Sequence, residues 1–353
     1  MIPFMSIITY QYRIKDSQHR NHLARLSYAV NYVWNYCNEV SLLAWRRDRK
    51  WLTAYDLHKL TAGCGPGLGL HSQTIQAICQ EYATRRKQFG KRRLAWRSRK
   101  RSLGWIPFKV SGIKRIGDAI RYGDRLFRLW LSRGCEGTIK TGSFTQDNRG
   151  RWYVNLQCEI EDATAPMGES DVGIDLGLRD QIACSDMDEP QSRENITRHY
   201  EDKLAMAQRA GKKKRVQAIH AKIKNVRKDW THKATTAIVR RARRLYVGDV
   251  SSTKLAKTRM AKSTYDAGWG MVRHQLHYKA IRLAGVCVPV CEMFSSVTCS
   301  ACLQSTGPSG LGALGVRVWT CSHCGVSHHR DINAAKNILR AGRCTPIKGI
   351  PSA

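Results

Sequence analysis

The sequence predicts a chain in two parts: a small β-barrel interrupted by a helical insertion, then an α/β sheet that carries a four-cysteine ribbon. Three observations predict this. Alternating apolar runs at residues 7–14 and 152–160 flank a helical stretch, as strands around an insertion would. After residue 170, strands alternate with helices, the arrangement of a sheet covered on both faces. Four of the 13 cysteines are grouped as two Cys-x2-Cys pairs.

Composition narrows the class. A chain of 353 residues exceeds one ordinary core. Its 60 Lys+Arg against 27 Asp+Glu give a net charge of +33, a self-repulsion that polyanions such as nucleic acid relieve. No apolar run approaches the ~18 residues a bilayer demands, and the N-terminus lacks a signal-peptide pattern. A cytoplasmic nucleic-acid binder is expected, with no membrane partner, as a monomer or weak dimer. The odd cysteine count and the chain length argue against a disulfide framework.

In order, "IITYQYRI" places Ile8, Tyr10, Tyr12 and Ile14 on one strand face, and Asp16 or Ser17 is expected to begin a helix. Leu23, Leu26, Val30, Val33, Trp34 and Cys37 form its apolar stripe. A Gly-rich break at 61–70 precedes a second helix from about Ser72, whose far end (91–109) interleaves Arg and Lys with Trp96, Trp105 and Phe108. Residues 118–160 are expected to return to β structure, and 161–170 to link the two parts. "DVGIDLGL" then forms a strand, "DQIACSD" its hairpin partner, and residues 210–233 a long basic helix with Val216, Ile219, Ile223, Val226 and Trp230 inward. The strand "RLYVGDV", a helix carrying Trp269, Val272 and Leu276, the strand "VCVPVCE", the cysteines and the helix "DINAAKNILRAG" follow.

Cys299, Cys302, Cys321 and Cys324 have the Cys-x2-Cys-x18-Cys-x2-Cys spacing of a four-thiolate zinc ribbon. Four sulfurs leave no open position for water, so the Zn2+ would be structural. The neighbouring His323, His328 and His329 are expected to meet phosphate or solvent rather than the metal. Asp175, inside the otherwise apolar stretch that follows Asp171, must be paired or hold a cation. Asp331, at a helix start, is either a first-turn acid or a partner of Asp175.

At these residues a resemblance becomes specific. The order "GIDLGL", basic helix, "YVGDV", cysteine ribbon and "HHRDINAAKNIL" resembles the TnpB (OrfB) family of insertion-sequence-encoded RNA-guided DNA endonucleases, which are related to type V CRISPR effectors. It covers nearly the whole chain. It implies an α/β RuvC-like RNase H fold with an adjacent zinc ribbon, plus an N-terminal β-barrel (wedge) domain interrupted by a helical recognition lobe. The expected boundaries are 1–15 and 102–165 for the barrel and 16–101 for the lobe. The nuclease domain would take 166–295 and 327–342, the ribbon 296–326 and a loose tail 343–353. Two Mg2+ ions held by three acids would hydrolyse DNA under the direction of a guide RNA, with double-stranded DNA as target.

Carried over, the first acid is Asp175 and the third Asp331. The family's middle strand ends in Glu-Asp; here Gly248 stands at the Glu position. Asp249 should point to the opposite face unless a bulge rotates it. Glu292 ends the next strand, expected parallel and about 4.8 Å away, and is the candidate replacement. Without it the centre would be inactive, leaving an RNA-guided DNA-binding protein, repressor-like. A transposase joining DNA ends would need an end-binding module, and no sequence feature supplies one. Candidate nucleic-acid contacts are Arg97, Arg99, Lys100, Arg101, Trp105 and Lys109 on the aromatic-basic stretch, and Lys213, Lys224, Arg227, Lys228 and Lys233 on the basic helix. A core role for Trp105 and Phe108 stays open. Residues 259–269 resemble the family's mobile lid.

Overall fold

The computed structural model describes residues 5–15, 17–193, 195–250, 261–313 and 315–344. It divides into two compact units that part between Glu161 and Asp162, at the head of the expected linker.

The first unit runs β1 (Met5–Ile14), α1 (Arg20–Asp48), α2 (Ala54–Leu60), α3 (Gly65–Leu68) and α4 (Ser72–Phe89). Then come β2 (Trp105–Lys109), β3 (Ile113–Ile116), β4 (Ala119–Tyr122), β5 (Arg125–Trp130), β6 (Thr138–Gln146) and β7 (Trp152–Glu161). The strands form one antiparallel sheet in the order β2-β6-β7-β1-β5-β4-β3. β2 and β4 lie near opposite ends of that order, yet Phe108 and Tyr122 bring their rings to 6.1 Å. The sheet therefore curls almost shut around Phe108, Phe127 and Phe144, each fully buried.

Three local expectations change. α1 begins at Arg20 after a 3-10 turn at Ser17–His19, without a side-chain cap; Asp16 lies outside the described residues. α4 stops at Phe89, where Gly90 takes a left-handed φ of 59°, so 91–104 does not extend the helix. The β structure opens earlier than expected, at Trp105. Phe108 is core, 1% exposed, and Trp105 is half-buried edge-on against Trp34.

The second unit comprises β8 (Ser170–Asp175), β9 (Ala183–Cys184), α5 (Ile196–His199), α6 (Glu201–Arg209), α7 (Lys213–Arg241) and β10 (Ala242–Gly248). It continues with α8 (Ala261–Ala267), α9 (Trp269–Arg282), β11 (Val286–Val290), β12 (Val318–Thr320), β13 (Ser327–His329) and α10 (Arg330–Arg343). Its main sheet has the order β11-β10-β8-β9; β8, β10 and β11 are parallel, and β9 is antiparallel. β11 is an edge strand and carries Pro289. Of the lid-like segment, residues 259–260 lie outside the described residues and 261–267 form α8; tail residues 345–353 also lie outside.

Side-chain alternation assigns the two faces of this sheet. Val172, Ile174, Leu245 and Val247 pack with Ile238 of α7 and Val272 and Leu276 of α9. Tyr246 and Val290 take the other face, against Ile338 of α10. Gly173 lets α10 approach: a Cβ there would lie 2.1 Å from the Ala335 carbonyl oxygen. α10 thus lies directly on β8, two residues before Asp175.

Candidate metal centres

Asp175 ends β8, and Glu292 follows β11 by two residues. Because β8, β10 and β11 are parallel, both acids project from one edge of the sheet. Parity puts Asp175 with Gly173, and Glu292 with Val288 and Val290, on the α10 face. Asp331 stands in the first turn of α10, 8% exposed. Gly248 pairs with Val290, and a Cβ added to it would lie 2.5 Å from Glu292 Oε2. The Glu292 carboxylate therefore fills the space that a residue-248 side chain would occupy.

Asp249 is exposed, and no bulge turns it inward: the β10–β11 register runs unbroken to Gly248. Its carboxylate instead accepts the Glu292 backbone N–H at 3.3 Å, while its own N–H donates to the Val290 carbonyl.

Electrostatics bind the three acids into one system. Burial, then Asp331, then Glu292 push the Asp175 carboxyl up to about 8. Burial raises Glu292, with a further rise from Asp249 and relief from Arg273. Burial also raises Asp331, against the pull of Arg317, whose Nη1 donates to its oxygens at 3.2 and 3.4 Å. Glu292 Oε2 is buried with no hydrogen-bond partner. Three crowded carboxylates, one with an orphaned oxygen, fit a hard divalent cation such as Mg2+. Among the described residues, only the four ribbon thiolates have donor atoms all within 4.8 Å of one another, so the acids form no single tight cage.

The raised Asp175 carboxyl sets a pH dependence. Between pH 4 and about 8 the folded chain holds a proton that the unfolded chain releases, so this contribution to stability is full at low pH and lost as pH rises through about 8. With zinc retained and no Mg2+ added, Asp175→Asn is expected to raise Tm at pH 8 on the order of 5 °C, the two profiles converging toward pH 5. Calorimetry across that range checks it; an equal or lower Tm at pH 8 contradicts it.

Two contacts escape sequence inspection. Asp180, five residues past Asp175, helps raise the Asp331 carboxyl. Arg317 reaches Asp331 from within the ribbon, and nothing in its surrounding sequence marks it.

Cys299, Cys302, Cys321 and Cys324 converge from two turns, the second leading into β13. Thr306 Oγ1 lies 3.0 Å from Cys321 Sγ and holds that thiol down, to about 5, in favour of the thiolate a zinc ion needs. His328 corrects the expectation of a phosphate or solvent contact. It is 8% exposed, lies tilted against the Trp319 ring and sets Nε2 3.0 Å from Cys299 Sγ, because the β12–β13 pairing turns it inward. Cys321→Ser is expected to lower zinc content, measured by mass spectrometry of the purified chain, from one per chain to near zero at micromolar free zinc; retained zinc would contradict the four-thiolate site.

The basic candidates separate. Arg97 donates to Asn31 and to the Leu103 carbonyl and lies over Trp34 and Trp105, so it braces its own unit. Arg227 is committed to the buried Asp266 at 2.7 Å. Lys109 donates to Gln76, and Lys233 pairs with Asp229. Arg99, Lys100, Arg101, Lys213, Lys224 and Lys228 are exposed. An unforeseen feature of α1 joins them: Tyr28 and Tyr32, each 62% exposed, and Tyr36, 38% exposed, recur every four residues. Exposed Arg25 and Arg46 flank them on the same helix.

Sheet, acids and ribbon together define an α/β protein whose thiolate cluster adjoins an acidic strand edge. Family models match both regions: OrfB_IS605, a probable transposase, over residues 155–259, and the Cas12f1-like TNB domain over residues 269–338. A Streptomyces pristinaespiralis protein named "Putative RNA-guided DNA endonuclease" is 35% identical over 226 residues, 60% of this chain and 54% of its own length. The chain thus spans about half of that relative. "Putative RNA-guided DNA endonuclease InsQ" of Escherichia coli K12 is 27% identical over 77% of this chain and 74% of its own. In fold, the chain is similar to Cas12f1 from a Cas12f1–sgRNA–target DNA complex, with a TM-score of 0.60 at 11% identity, covering 95% of this chain and 99% of that one. Both family matches and both named relatives agree with the resemblance to the TnpB (OrfB) family read from the sequence. Among the described residues no helix is long and apolar enough to cross a membrane.

Proposed function

We propose that this chain is an RNA-guided DNA endonuclease of TnpB type, in which Asp175, Glu292 and Asp331 hold Mg2+ on a RuvC-like α/β domain. The observation that carries it is the fit of the Glu292 carboxylate into the space left by Gly248. When bound, Mg2+ supplies a more acidic water and stabilises charge on the phosphodiester. Two such ions, rather than one, would be shared among the three carboxylates. The chain's own groups orient and balance this centre. Arg317 braces Asp331, Asp249 fixes the Glu292 backbone, and Arg330 and Arg273 offset the accumulated negative charge.

The β-barrel and helical lobe (1–15 with 102–165, and 16–101) would read a short motif beside the target. The tyrosines of α1 offer rings for unpaired bases between arginines that meet phosphate. Exposed lysines of α7 would track the backbone. Each of Lys213→Ala and Lys224→Ala is expected to make the slope of log affinity against log salt shallower by about 0.9 on duplex DNA, or about 0.7 on single strands. A slope that does not change removes that residue from the interface.

The test is cleavage of a matched plasmid in Mg2+ by protein purified with its own RNA, which is then sequenced. RNA-directed double-strand breaks support the proposal. RNA-directed binding without breaks leaves only a gripping role, and complete absence of copurified RNA refutes RNA guidance.

A further inference from the structure

Two asparagines of α10 have no part in the chemistry above. Asn333 and Asn337 are four residues apart, hence on one helix face, and are 1% and 6% exposed. Asn333 accepts the Ser300 N–H at 2.8 Å and donates to the Thr298 carbonyl at 2.8 Å and the Ser295 carbonyl at 3.3 Å. Asn337 donates to the same two carbonyls, at 2.6 and 2.8 Å, and its own oxygen accepts from Arg340. The clamped segment, 295–300, begins where the Ser295 N–H closes a turn on the Glu292 carbonyl. It ends inside the first cysteine pair, since Ser300 follows Cys299. A second tie runs back from the ribbon: the Arg330 N–H donates to the Arg317 carbonyl at 2.7 Å, and the Arg317 side chain holds Asp331.

One helix therefore carries an acid, Asp331, and two amides that fix the loop between the second acid, Glu292, and a zinc-type ligand, Cys299. Satisfying buried carbonyls would alone justify an asparagine. Here the same two carbonyls are served twice, and the third bond enters the cysteine pair itself. Resting on the acid-site reading above, we propose that Asn333 and Asn337 are positioning residues that couple the thiolate ribbon to the acids. Zinc at the cysteines holds the 295–300 loop, the asparagines transmit that to α10, and Glu292 and Asp331 keep their spacing for a hard cation.

The experiment uses the full-length chain and Tb3+ luminescence as the probe of the acids, with zinc content measured in parallel. Asn333→Ala/Asn337→Ala is expected to retain one zinc per chain and to weaken Tb3+ binding about tenfold. Stripping zinc from the unsubstituted chain should weaken Tb3+ binding by a similar factor, and stripping it from the double variant should add little, because both perturbations break one linkage. Should the double variant lose its circular-dichroism signature, Asn337→Gln, which keeps the amide but displaces it by one methylene, must show the same loss. Unchanged Tb3+ affinity in a folded variant, or factors that multiply independently, overturns the coupling. Asp175→Ala separates the two readings: if it leaves Tb3+ affinity unchanged, the acid site itself is refuted.

Discussion

Glu292→Ala is expected to reduce RNA-directed plasmid cleavage on the order of 10³-fold, about 4 kcal/mol of transition-state stabilisation, while RNA and DNA binding stay unchanged. Its carboxylate lies on the α10 face with Asp175, raises Asp175 electrostatically and has an oxygen with no protein partner. On the proposed reading, removing it takes away a metal ligand. Asp249→Ala is the control. That acid is exposed on the opposite parity; it caps the Glu292 backbone at 3.3 Å and raises the Glu292 carboxyl without facing the other acids, so its loss should leave cleavage within about tenfold of the starting rate. The reverse ranking, measured as initial rates of linearisation in Mg2+, would return the second acid to Asp249.

The second large effect comes from filling the space at Gly248. In Gly248→Ala the new Cβ would lie 2.5 Å from Glu292 Oε2 and 3.2 Å from Ile338 Cδ1. The helix behind Ile338 is packed on the sheet, so the flexible carboxylate must yield. A displacement of about 1 Å at a reacting centre typically costs on the order of 10²-fold in rate. Moving the acid back should recover much of this. Gly248→Glu combined with Glu292→Gly restores a carboxylate to the strand that lacks one, and cleavage is expected to exceed that of Glu292→Ala by at least tenfold. If Gly248→Ala cuts normally, the carboxylate does not work from where it stands.

Much of this architecture was legible because strand alternation is a strict rule. The apolar run 171–176 and the order Gly248-Asp249 already dictate which acid faces α10, and the helix between β10 and β11 dictates their parallel pairing. Interleaved Arg and Trp at 91–109 were ambiguous for a physical reason. A guanidinium over an indole looks the same in sequence whether the ring serves a nucleobase or, as with Arg97 over Trp105, its own core. His328 departs from the sequence expectation because polarity says little once strand pairing turns a ring inward. Arg317 and the asparagine clamp leave no sequence signal, because Arg317 itself lies in a loop whose path no local pattern specifies and the asparagines bind backbone atoms of another loop.

Pro289 has a consequence for assembly. The rim strand that bears it has no N–H to offer at that position, and a visiting strand would find its ladder interrupted one residue before the last pairing, Gly248 with Val290. Fibril-like or domain-swapped growth through this border is thereby discouraged.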